Sequence, residues 1–431
     1  MSKIEPVNHA IAEFLALSSK KYPENSLTLP FQKYIVALSG GVDSMVLLHA
    51  LSQQVDKTKI LAVYIDHQLQ PASAEWTVQN QSFCHSLDVE YHCIKVTVDT
   101  TVASTENEAR KARYRALQTL INDNDSCLLT AQHQNDQAET FLLQLFRGAG
   151  VKGLSSMPYL TNFASGYHAR PLLMVAKAEI EKYAQLNKLD YVTDQTNFDD
   201  SIRRNFIRNQ VLPMIEKRWS SAVEKISQAA SHQADVQFLL DELALIDYKK
   251  GVRAFDQTIK LEVLQQLSLE RQNNLLRYWL EQQGCDMPSR RVLEQIRIQM
   301  ITAVQDAQPM IELDGFRIRR YQNHIYCYKP QAVKVKITQE DILNWDSKKD
   351  LIINGQLIIP KSWLSDNHPE LTDLLLTVRL KQSGDKIYIG NRKHGISLKN
   401  YFQQEKIAPW LRDRVLVICF EGVIKAIYII D

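Results

Sequence analysis

Cysteines and long hydrophobic runs are scarce in this chain of 431 residues. Its six cysteines are scattered, and no two of them form a C-x-x-C pair. That distribution excludes a disulfide framework and a zinc knuckle, and it is typical of a reducing cytoplasm. No apolar run approaches the roughly 18 residues of a membrane-spanning helix. Residues 1–26 carry Glu5 and Glu13 and lack a continuous apolar segment, so we expect a short amphipathic helix there, in a cytoplasmic protein with no membrane partner.

An excess of charge of one sign is also missing, since 51 Lys and Arg are balanced by 49 Asp and Glu. The balance is uneven along the chain, because nine basic and three acidic residues lie between Arg379 and Arg414. Basic side chains interleaved with aromatic ones suit an RNA backbone and exposed bases, and a solvated surface is the alternative. Of the aromatic residues in this segment, we expect at least two of Tyr401, Phe402 and Trp410 to be buried.

The first half of the chain alternates short β-rich runs with helical patterns. The predicted strands are 34–38, 60–65, 91–97 and 127–131, and the predicted helices are 43–53, 74–87 and 106–122. This alternation predicts an α/β fold built on a doubly wound parallel sheet. In such sheets ligands bind beyond the carboxyl ends of the strands, which is where several polar clusters of this sequence lie.

From about residue 220 the pattern changes to helices and then to β-structure. The predicted helices are 222–245, 258–283 and 289–304, and the β-rich segments are 311–328, with a turn near Gln322-Asn323, 351–360, 374–380 and 415–430. We therefore predict three domains. Residues 1–219 form the α/β domain, residues 220–330 a mostly helical middle domain, and residues 345–431 a smaller α+β C-terminal domain.

The segment SGGVDS, residues 39–44, joins the first predicted strand to a helix. Adjacent glycines let a ligand approach the main chain, and a helix N-terminus favours an anion. The serine hydroxyls add donors, so the segment predicts a phosphate-binding loop, although it lacks the lysine of the G-x-x-x-x-G-K-S/T type. Asp43 suits such a loop if Mg²⁺ or a nucleotide sugar lies beside it, and a helix N-cap is the alternative.

A second polar cluster opens the helix predicted after the fourth strand. His133, Asp136 and Glu139 are three residues apart and lie away from the predicted apolar stripe. That stripe comprises Ala138, Phe141, Leu142, Leu145 and Phe146. Three interpretations stay open for the polar residues: carboxylates that favour the helix dipole, a metal site of one histidine and two carboxylates, and a pocket for an ammonium group.

Arginines are concentrated in two further segments. Arg113 lies in a basic helical segment, where it either stays in solvent or reaches phosphates and developing negative charge. Arg203, Arg204 and Arg208 follow a loop rich in Asp and Asn, and they either contact nucleic-acid phosphates or form a charged linker. Both alternatives remain open for each segment.

Several of these motifs carry a resemblance to a known family. SGGVDS resembles the loop of the PP-loop, or N-type, ATP pyrophosphatases. Together with DHQL, NEARKARY, AQHQNDQAETFLLQLFRGAG, RRNFIRNQVLP and a late KHGISLKNYFQQEKIAPWLRD, it gives an order and spacing similar to those of the tRNA(Ile)-lysidine synthetases over most of the chain. The resemblance implies an ATP-dependent ligase that adenylates the wobble cytidine of tRNA(Ile) with a CAU anticodon. The amine of free L-lysine then displaces AMP.

The resemblance also implies roles for individual residues. Catalysis falls to Asp43 and Arg113, and ATP binding, with Mg²⁺ held through ATP and Asp43, falls to Ser39, Gly40, Gly41, Val42, Asp43 and Ser44. Lysine binding falls to His133, Asp136 and Glu139, and tRNA binding to Arg203, Arg204, Arg208, Arg392, Lys393, Lys399 and Arg412. One departure is Gln68, because the family often has glycine after the histidine of the second-strand motif.

Some questions stay open at this level. Either His133 or Asp136 could deprotonate the lysine amine, the first by its pKa and the second by its placement. A thiolase-like PP-loop enzyme is an alternative, but the iron–sulfur type needs a cysteine set that this chain lacks. A non-catalytic, nucleotide-regulated RNA-binding protein is another, which ATP-dependent AMP formation would exclude. The oligomeric state is also open, with a homodimer as one option.

Overall fold

The chain divides into two compact units, Met1–Leu239 and Leu240–Asp431. The computed structural model describes residues 5–16, 31–68, 73–97, 105–192, 195–253, 257–304, 307, 309–330, 342–353, 356–388, 395–405 and 407–430. In this described part of the chain, none of the helices has both the length and the hydropathy that a bilayer-crossing segment requires.

The first unit contains helices and strands in alternation. Its helices are α1 (Pro6–Leu15), α2 (Val42–Ser52), α3 (Ser73–Ser86), α4 (Thr105–Gln118), α5 (Gln134–Phe146), α6 (Val151–Leu154), α7 (Lys177–Leu186), α8 (Arg203–Phe206), α9 (Leu212–Glu216) and α10 (Ala222–Gly251), the last of which continues into the second unit. Its strands are β1 (Lys33–Leu38), β2 (Ile60–Asp66), β3 (Glu90–Lys95), β4 (Ser126–Leu129), β5 (Leu160–Phe163) and β6 (Gly166–Ala169). Single 3₁₀ turns lie at Lys57–Lys59 and Gln195–Phe198, and a π-helical turn lies at Ile207–Val211.

The six strands form one sheet in the order β3-β2-β1-β4-β6-β5. All neighbours are parallel except β5 and β6, which pair antiparallel. The doubly wound parallel sheet predicted from the sequence is confirmed. The order reverses between β1 and β4, because β2 and β3 extend the sheet on one side of β1 and β4 on the other. This reversal is the point at which such sheets bind ligands.

Apolar residues cover both faces of this sheet. β2 is buried along its whole length, as a strand between two layers of helices must be. On one face α1, α2 and α7 build a core that includes Phe14, Leu48 and Tyr183. On the other face Leu117 of α4 packs against Ile35 and neighbouring strand residues. The expected amphipathic helix near the N-terminus is α1, which buries one apolar face.

Two details of this unit differ from the sequence analysis. The hairpin of β5 and β6 was missed, because four-residue strands such as LTNF and GYHA give no clear periodic pattern. The predicted apolar stripe of α5 is correct only up to Leu142. Leu145 and Phe146 are 47% and 69% exposed, since the last turn of α5 extends beyond the core that covers Ala138 and Leu142.

The second unit begins within α10 and contains the remaining elements. Its helices are α11 (Leu261–Gln266), α12 (Leu269–Gln282), α13 (Arg290–Thr302), α14 (Lys361–Asn367) and α15 (Leu398–Gln404), with 3₁₀ turns at Pro369–Leu371 and Pro409–Arg414. Its strands are β7 (Val252–Arg253), β8 (Thr258–Lys260), β9 (Met310–Leu313), β10 (Phe316–Tyr321), β11 (His324–Tyr328), β12 (Leu343–Asp346), β13 (Leu351–Ile353), β14 (Gln356–Ile359), β15 (Leu375–Leu380), β16 (Lys386–Ile387), β17 (Ile396–Ser397), β18 (Val415–Phe420) and β19 (Val423–Ile429).

The predicted helical middle region is confirmed, and it also carries a five-stranded antiparallel sheet. The strand order is β7-β8-β11-β10-β9, and its core includes Trp279 of α12 and Met300 of α13. The hairpin predicted at Gln322-Asn323 joins β10 to β11. The single helix predicted over 258–283 is wrong. Its first residues form β8, and Ser268 then caps a new helix by accepting a hydrogen bond from the Arg271 N–H at 3.4 Å.

The C-terminal region is α+β, as predicted. Six strands form a sheet in the order β12-β15-β18-β19-β16-β17, and β13 pairs with β14 beside it. The predicted closing hairpin is formed by β18 and β19. The predicted domain boundaries at 219 and 330 stay predictions. The six cysteines are free thiols, although Sγ of Cys285 and Sγ of Cys327 are 3.5 Å apart.

Candidate active site

The loop after β1 is held together by its own serines. Ser39 Oγ and Ser44 Oγ are 3.1 Å apart, and Ser44 Oγ also accepts the Ser39 N–H at 3.1 Å. Ser44 Oγ donates to the Gly41 carbonyl at 3.0 Å, and the Gly41 N–H donates to Ser39 Oγ at 3.3 Å. These bonds close residues 39–44 into a compact turn at the carboxyl end of β1.

Two backbone N–H groups at the start of α2 are left for a ligand. The helix begins at Val42 and the Ser44 N–H donates to the Gly41 carbonyl at 3.1 Å, but the Val42 and Asp43 N–H groups have no acceptor within the helix. Gly40 takes a φ of +83°, a conformation open to glycine but strained for other residues. Together with the positive end of the α2 dipole, this geometry suits a phosphate group, as the sequence analysis predicted.

Asp43 lies in a cluster of charged groups from three elements. Lys177 Nζ, at the start of α7, donates to Asp43 Oδ1 at 2.6 Å. His133 Nε2, just before α5, lies 3.7 Å from the same oxygen. The Asp43 side chain is 31% exposed, whereas His133 is 4% exposed and its Nδ1 has no hydrogen-bond partner. A carboxylate, an ammonium group and an imidazole therefore meet beside the loop.

Backbone contacts explain why these side chains meet. The strands β1 and β4 are neighbours, so the segments that follow them lie side by side at the sheet's carboxyl edge. The Gln134 N–H donates to the Val175 carbonyl at 3.0 Å, and Asn135 Oδ1 accepts the Lys177 N–H at 3.2 Å. These two bonds fix the first turn of α5 against the first turn of α7, which brings Lys177 toward Asp43.

The two carboxylates of α5 are paired with two arginines. Arg204 Nη2 donates to Asp136 Oδ1 at 2.9 Å, and Arg204 Nε donates to Glu139 Oε2 at 2.8 Å. Arg208 Nε donates to Glu139 Oε1 at 2.6 Å, and its Nη2 reaches Asp136 Oδ1 at 3.2 Å. Glu139 is only 1% exposed. An ammonium group was one expected neighbour of these two carboxylates. In this structure the guanidinium groups of Arg204 and Arg208 take that position.

These contacts determine the charge state of the cluster. Burial alone would raise the pKa of Asp136, but the nearby His133, Arg204 and Arg208 outweigh it and hold that pKa below its usual value. Burial would lower the pKa of Arg204 and of Arg208, and the two carboxylates reverse that effect and raise both. Asp136, Arg204 and Arg208 are therefore charged at neutral pH. The lysine-binding role of the carboxylates stays a prediction, as does the tRNA-binding role of Arg204 and Arg208.

Arg113, on α4, lies beside His67, the histidine that follows β2. Its Nε and Nη2 contact His67 Nε2 at 3.3 and 3.2 Å. Burial, and then the charge of Arg113, lower the pKa of His67 to about 4, so His67 is neutral at pH 7. A neutral imidazole accepts the guanidinium hydrogen bond and holds Arg113 at the carboxyl edge of the sheet. The structure gives no contact between Arg113 and the loop, so its catalytic role stays a prediction.

Gln68, the departure noted in the sequence, has a φ of +55°. Its N–H donates to Asp66 Oδ1 at 2.9 Å, which fixes the turn after β2. Glycine adopts this conformation without strain, so we expect Gln68→Gly to raise the free energy of unfolding by about 1 kcal/mol. Thermal melting measures the change. Gln68→Ala, which keeps the Cβ, is the control and should show no gain; a loss of stability in Gln68→Gly would contradict the argument.

The basic residues predicted to bind tRNA fall in different surroundings. Arg203 and Lys399 are exposed, whereas Arg412 donates from Nε and Nη2 to the Ile407 carbonyl at 3.1 and 3.0 Å. Arg392 and Lys393 lie outside the described residues. For the described members, contact with tRNA stays a prediction.

The aromatic side chains of the same segment were predicted only in part. Phe402 is buried, but Tyr401 and Trp410 are half-buried, so the expectation of at least two buried rings is wrong. The reason is packing at the edge of a core. Trp410 lies among Tyr321, Tyr326 and Tyr328, and the Arg319 guanidinium covers its ring at 4.6 Å.

The metal predicted for this site is Mg²⁺, and Asp43, predicted to help hold it, lies in the described part of the chain. No three His, Cys, Asp or Glu side chains are grouped there as metal ligands. The contacts of Asp43 are made by Oδ1, so Oδ2 remains available to a cation that another group also holds. Mg²⁺ is commonly bound by one or two carboxylates plus substrate phosphates, so Asp43 fits a nucleotide-borne Mg²⁺ rather than a metal held by the protein alone.

The sequence analysis missed Lys177. It stands 134 positions from Asp43 in the sequence, and no local pattern connects them. No helix or strand was predicted around this lysine, so no signal in the sequence pointed to it. Cations near a carboxylate and a phosphate loop become recognisable only once the fold brings them together.

Comparisons with known proteins agree with this geometry. Residues 11–215 match the family model of the PP-loop domain, residues 260–326 that of the TilS substrate binding domain, and residues 376–429 that of the TilS substrate C-terminal domain. The tRNA(Ile)-lysidine synthase of Coxiella burnetii is 37% identical over 391 residues, which cover 89% of this chain and 86% of the relative.

Two further relatives carry the same name. The tRNA(Ile)-lysidine synthase of Legionella pneumophila (strain Paris) is 35% identical over 396 residues, covering 89% of this chain and 88% of the relative. That of Actinobacillus pleuropneumoniae serotype 7 is 35% identical over 406 residues, covering 90% and 94%. The similarity thus extends over most of the length of this chain and of each relative. The chain belongs to the tRNA(Ile)-lysidine synthase family.

Proposed function

We propose that this protein joins free L-lysine to the C2 position of the wobble cytidine of tRNA(Ile) with a CAU anticodon. The reaction consumes ATP and releases pyrophosphate and AMP. The observation that carries the proposal is the meeting of Asp43, Lys177 and His133 beside the loop of residues 39–44. The substrates are inferred from membership of the family, and the three side chains of this cluster are suited to phosphate binding and proton transfer.

In the first step the cytidine C2 oxygen attacks the α-phosphorus of ATP, and pyrophosphate leaves. Residues 39–44 bind the phosphates through backbone N–H groups and serine hydroxyls. The Lys177 ammonium group moves partly away from Asp43 and also contacts a phosphate of ATP. Its positive charge then stabilises the negative charge that develops on the phosphates in the transition state. Asp43 would hold a Mg²⁺ ion that arrives with ATP, and that ion would supply further charge neutralisation. Arg113 approaches the cytidine from the end of β2 and stabilises the attack.

In the second step the lysine amine attacks C2 of the adenylated cytidine and AMP leaves. Asp136 and Glu139 bind the ammonium groups of lysine in competition with Arg204 and Arg208. His133 lies between Asp43 and Asp136, with Nε2 3.7 and 3.4 Å from their carboxylate oxygens. His133 is placed to take the proton from the attacking amine and pass it to a carboxylate.

The tRNA is bound by basic residues outside the nucleotide site. We place Arg203 of the first unit, and Lys399, Arg412, Arg392 and Lys393 of the second, against its backbone. Phosphate contacts of this kind release counterions, so tRNA affinity should fall steeply with salt.

Pyrophosphate release tests the order of the two steps. The wild-type protein is given ATP and a tRNA(Ile) transcript with a CAU anticodon, with or without lysine. We expect a single turnover of pyrophosphate without lysine and continuous turnover with it. The same tRNA with the wobble cytidine replaced by uridine should release none. Equal pyrophosphate release with cytidine and with uridine at the wobble position would contradict the cytidine C2 oxygen as the nucleophile of the first step.

Lys177→Met tests the cation beside the loop. Methionine keeps the length of the side chain and removes its charge, so we expect the KM for ATP to rise roughly tenfold, equivalent to about 1.4 kcal/mol. Steady-state AMP formation at varied ATP concentrations measures it. Lys182→Met, which removes an exposed ammonium on the same helix, is the control and should leave the KM for ATP unchanged. An equal effect of both variants would show that only surface charge matters.

A further inference from the structure

A polar side chain next to the phosphate loop has no hydrogen-bond partner. Asn80, on α3, is 0% exposed, and neither its Oδ1 nor its Nδ2 forms a hydrogen bond. Buried carboxamides are nearly always paired, because an unpaired one has lost its water without compensation. The free protein therefore carries a destabilising group at this position, which calls for a functional reason.

The carboxamide lies directly against the loop. A Cβ added to Gly40 would be 3.1 Å from Asn80 Oδ1, 3.5 Å from Nδ2 and 3.6 Å from Val192 Cγ2. The Gly40 carbonyl is already occupied, since it accepts the Val192 N–H at 2.8 Å. Position 40 must therefore be glycine for two reasons, its φ of +83° and the closeness of Asn80. The carboxamide of Asn80 thus lies close to the Gly40 peptide without forming a hydrogen bond to it.

The surroundings of Asn80 do not demand a polar residue for packing. Cys84, one turn further along α3, is equally buried and belongs to the apolar core under the sheet. A leucine has the same number of side-chain heavy atoms as asparagine and carries no unpaired polar group, although its methyl groups are bulkier than the carboxamide. What distinguishes position 80 from position 84 is its contact with the loop.

We propose that Asn80 is a positioning residue of the nucleotide site, which hydrogen-bonds the Gly40 peptide when residues 39–44 close on the phosphates of ATP. The inference rests on the proposed function, in that it takes this loop as the ATP site. The hydrogen bonds absent from the free protein form in the bound state, so the amide favours binding by an interaction that only the bound state makes. The class of ligand is a nucleoside triphosphate bound through its phosphates.

The test uses the full-length protein and ATP, with affinity measured by titration calorimetry and stability by thermal melting without nucleotide. The variants are Asn80→Leu and Asn80→Ala, and the matched control is Cys84→Ala, which alters the packing of the same helix away from the loop. We expect Asn80→Leu and the smaller Asn80→Ala both to bind ATP about tenfold more weakly than the wild type. Cys84→Ala should melt at a lower temperature and bind ATP like the wild type.

Each other result would overturn the inference. Unchanged ATP affinity in Asn80→Leu would show that the amide plays no part in binding. If Asn80→Leu does not fold, Asn80→Ala, which removes the amide without adding volume, decides the matter, and wild-type ATP affinity in Asn80→Ala would overturn the inference. Wild-type protein that fails to bind ATP would instead refute the proposed function, so the two failures are distinguishable.

Discussion

Asp43→Ala should reduce pyrophosphate release and lysine incorporation by at least about 100-fold, equivalent to on the order of 2.7 kcal/mol in the barrier. Asp43 is the carboxylate that Lys177 and His133 both approach, and it sits on the first turn of α2 beside the phosphate loop. Its removal takes away the charge that positions Lys177 and the oxygen available to Mg²⁺. Quenched assays of pyrophosphate and labelled tRNA measure both steps.

The fold should not change in this variant, because the Asp43 side chain is part of the site rather than of the core. Asp56→Ala is the matched control. Asp56 is an exposed aspartate that caps a turn before β2, at the opposite end of the sheet, by accepting the Thr58 N–H at 3.0 Å. It should keep wild-type activity. An Asp43→Ala protein that still releases pyrophosphate at the wild-type rate would remove Asp43 from the mechanism.

Glu139→Gln should lower the free energy of unfolding of the first unit by about 2–3 kcal/mol. Glu139 is buried and accepts hydrogen bonds from both Arg204 and Arg208. Removing one partner of a buried ion pair leaves the other charges uncompensated, which costs roughly 3–5 kcal/mol when burial is complete. The two guanidiniums are partly exposed and can recover some hydration, which reduces the loss. Thermal melting of the variant and the wild type measures it.

The control for this loss is Glu179→Gln. Glu179 pairs with Lys182 at 3.6 Å on the exposed face of α7, and such pairs contribute on the order of 0.5 kcal/mol or less. Equal melting temperatures for Glu139→Gln and Glu179→Gln would contradict the network as described.

Lowering the pH should also reduce the free energy of unfolding, through Asp136. The folded pKa of Asp136 is depressed, so its contribution is present above the unfolded pKa of an aspartate and is lost as the pH falls through the folded value.

The sheet of the first unit could be predicted from the sequence because its central strands, β1 and β2, are largely buried on both faces. KYIVAL and ILAVYID are nearly continuous apolar runs, and each ends in a polar cluster. The loop of residues 39–44 was equally recognisable, since its glycines, serines and aspartate are adjacent in the sequence. Local chemistry at the end of a strand was therefore enough to locate the nucleotide site.

The partners of the site residues could not be predicted in the same way. Arg208 lies 69 positions from Glu139, and the sequence analysis placed it with the tRNA rather than with that carboxylate. Helical periodicity likewise predicted burial for Phe146, which the structure leaves in solvent because the core ends one turn earlier. A periodic pattern shows which residues share a face, but it does not show what covers that face.

The most direct test of the account is the transfer of labelled lysine to tRNA. Full-length protein, radiolabelled L-lysine and a tRNA(Ile) transcript with a CAU anticodon are incubated with and without ATP, and the tRNA is digested to nucleosides. The account predicts ATP-dependent label at the wobble cytidine and none in Asp43→Ala. Label that appears without ATP, or an absence of label while pyrophosphate is still released, would contradict lysine as the nucleophile that completes the reaction.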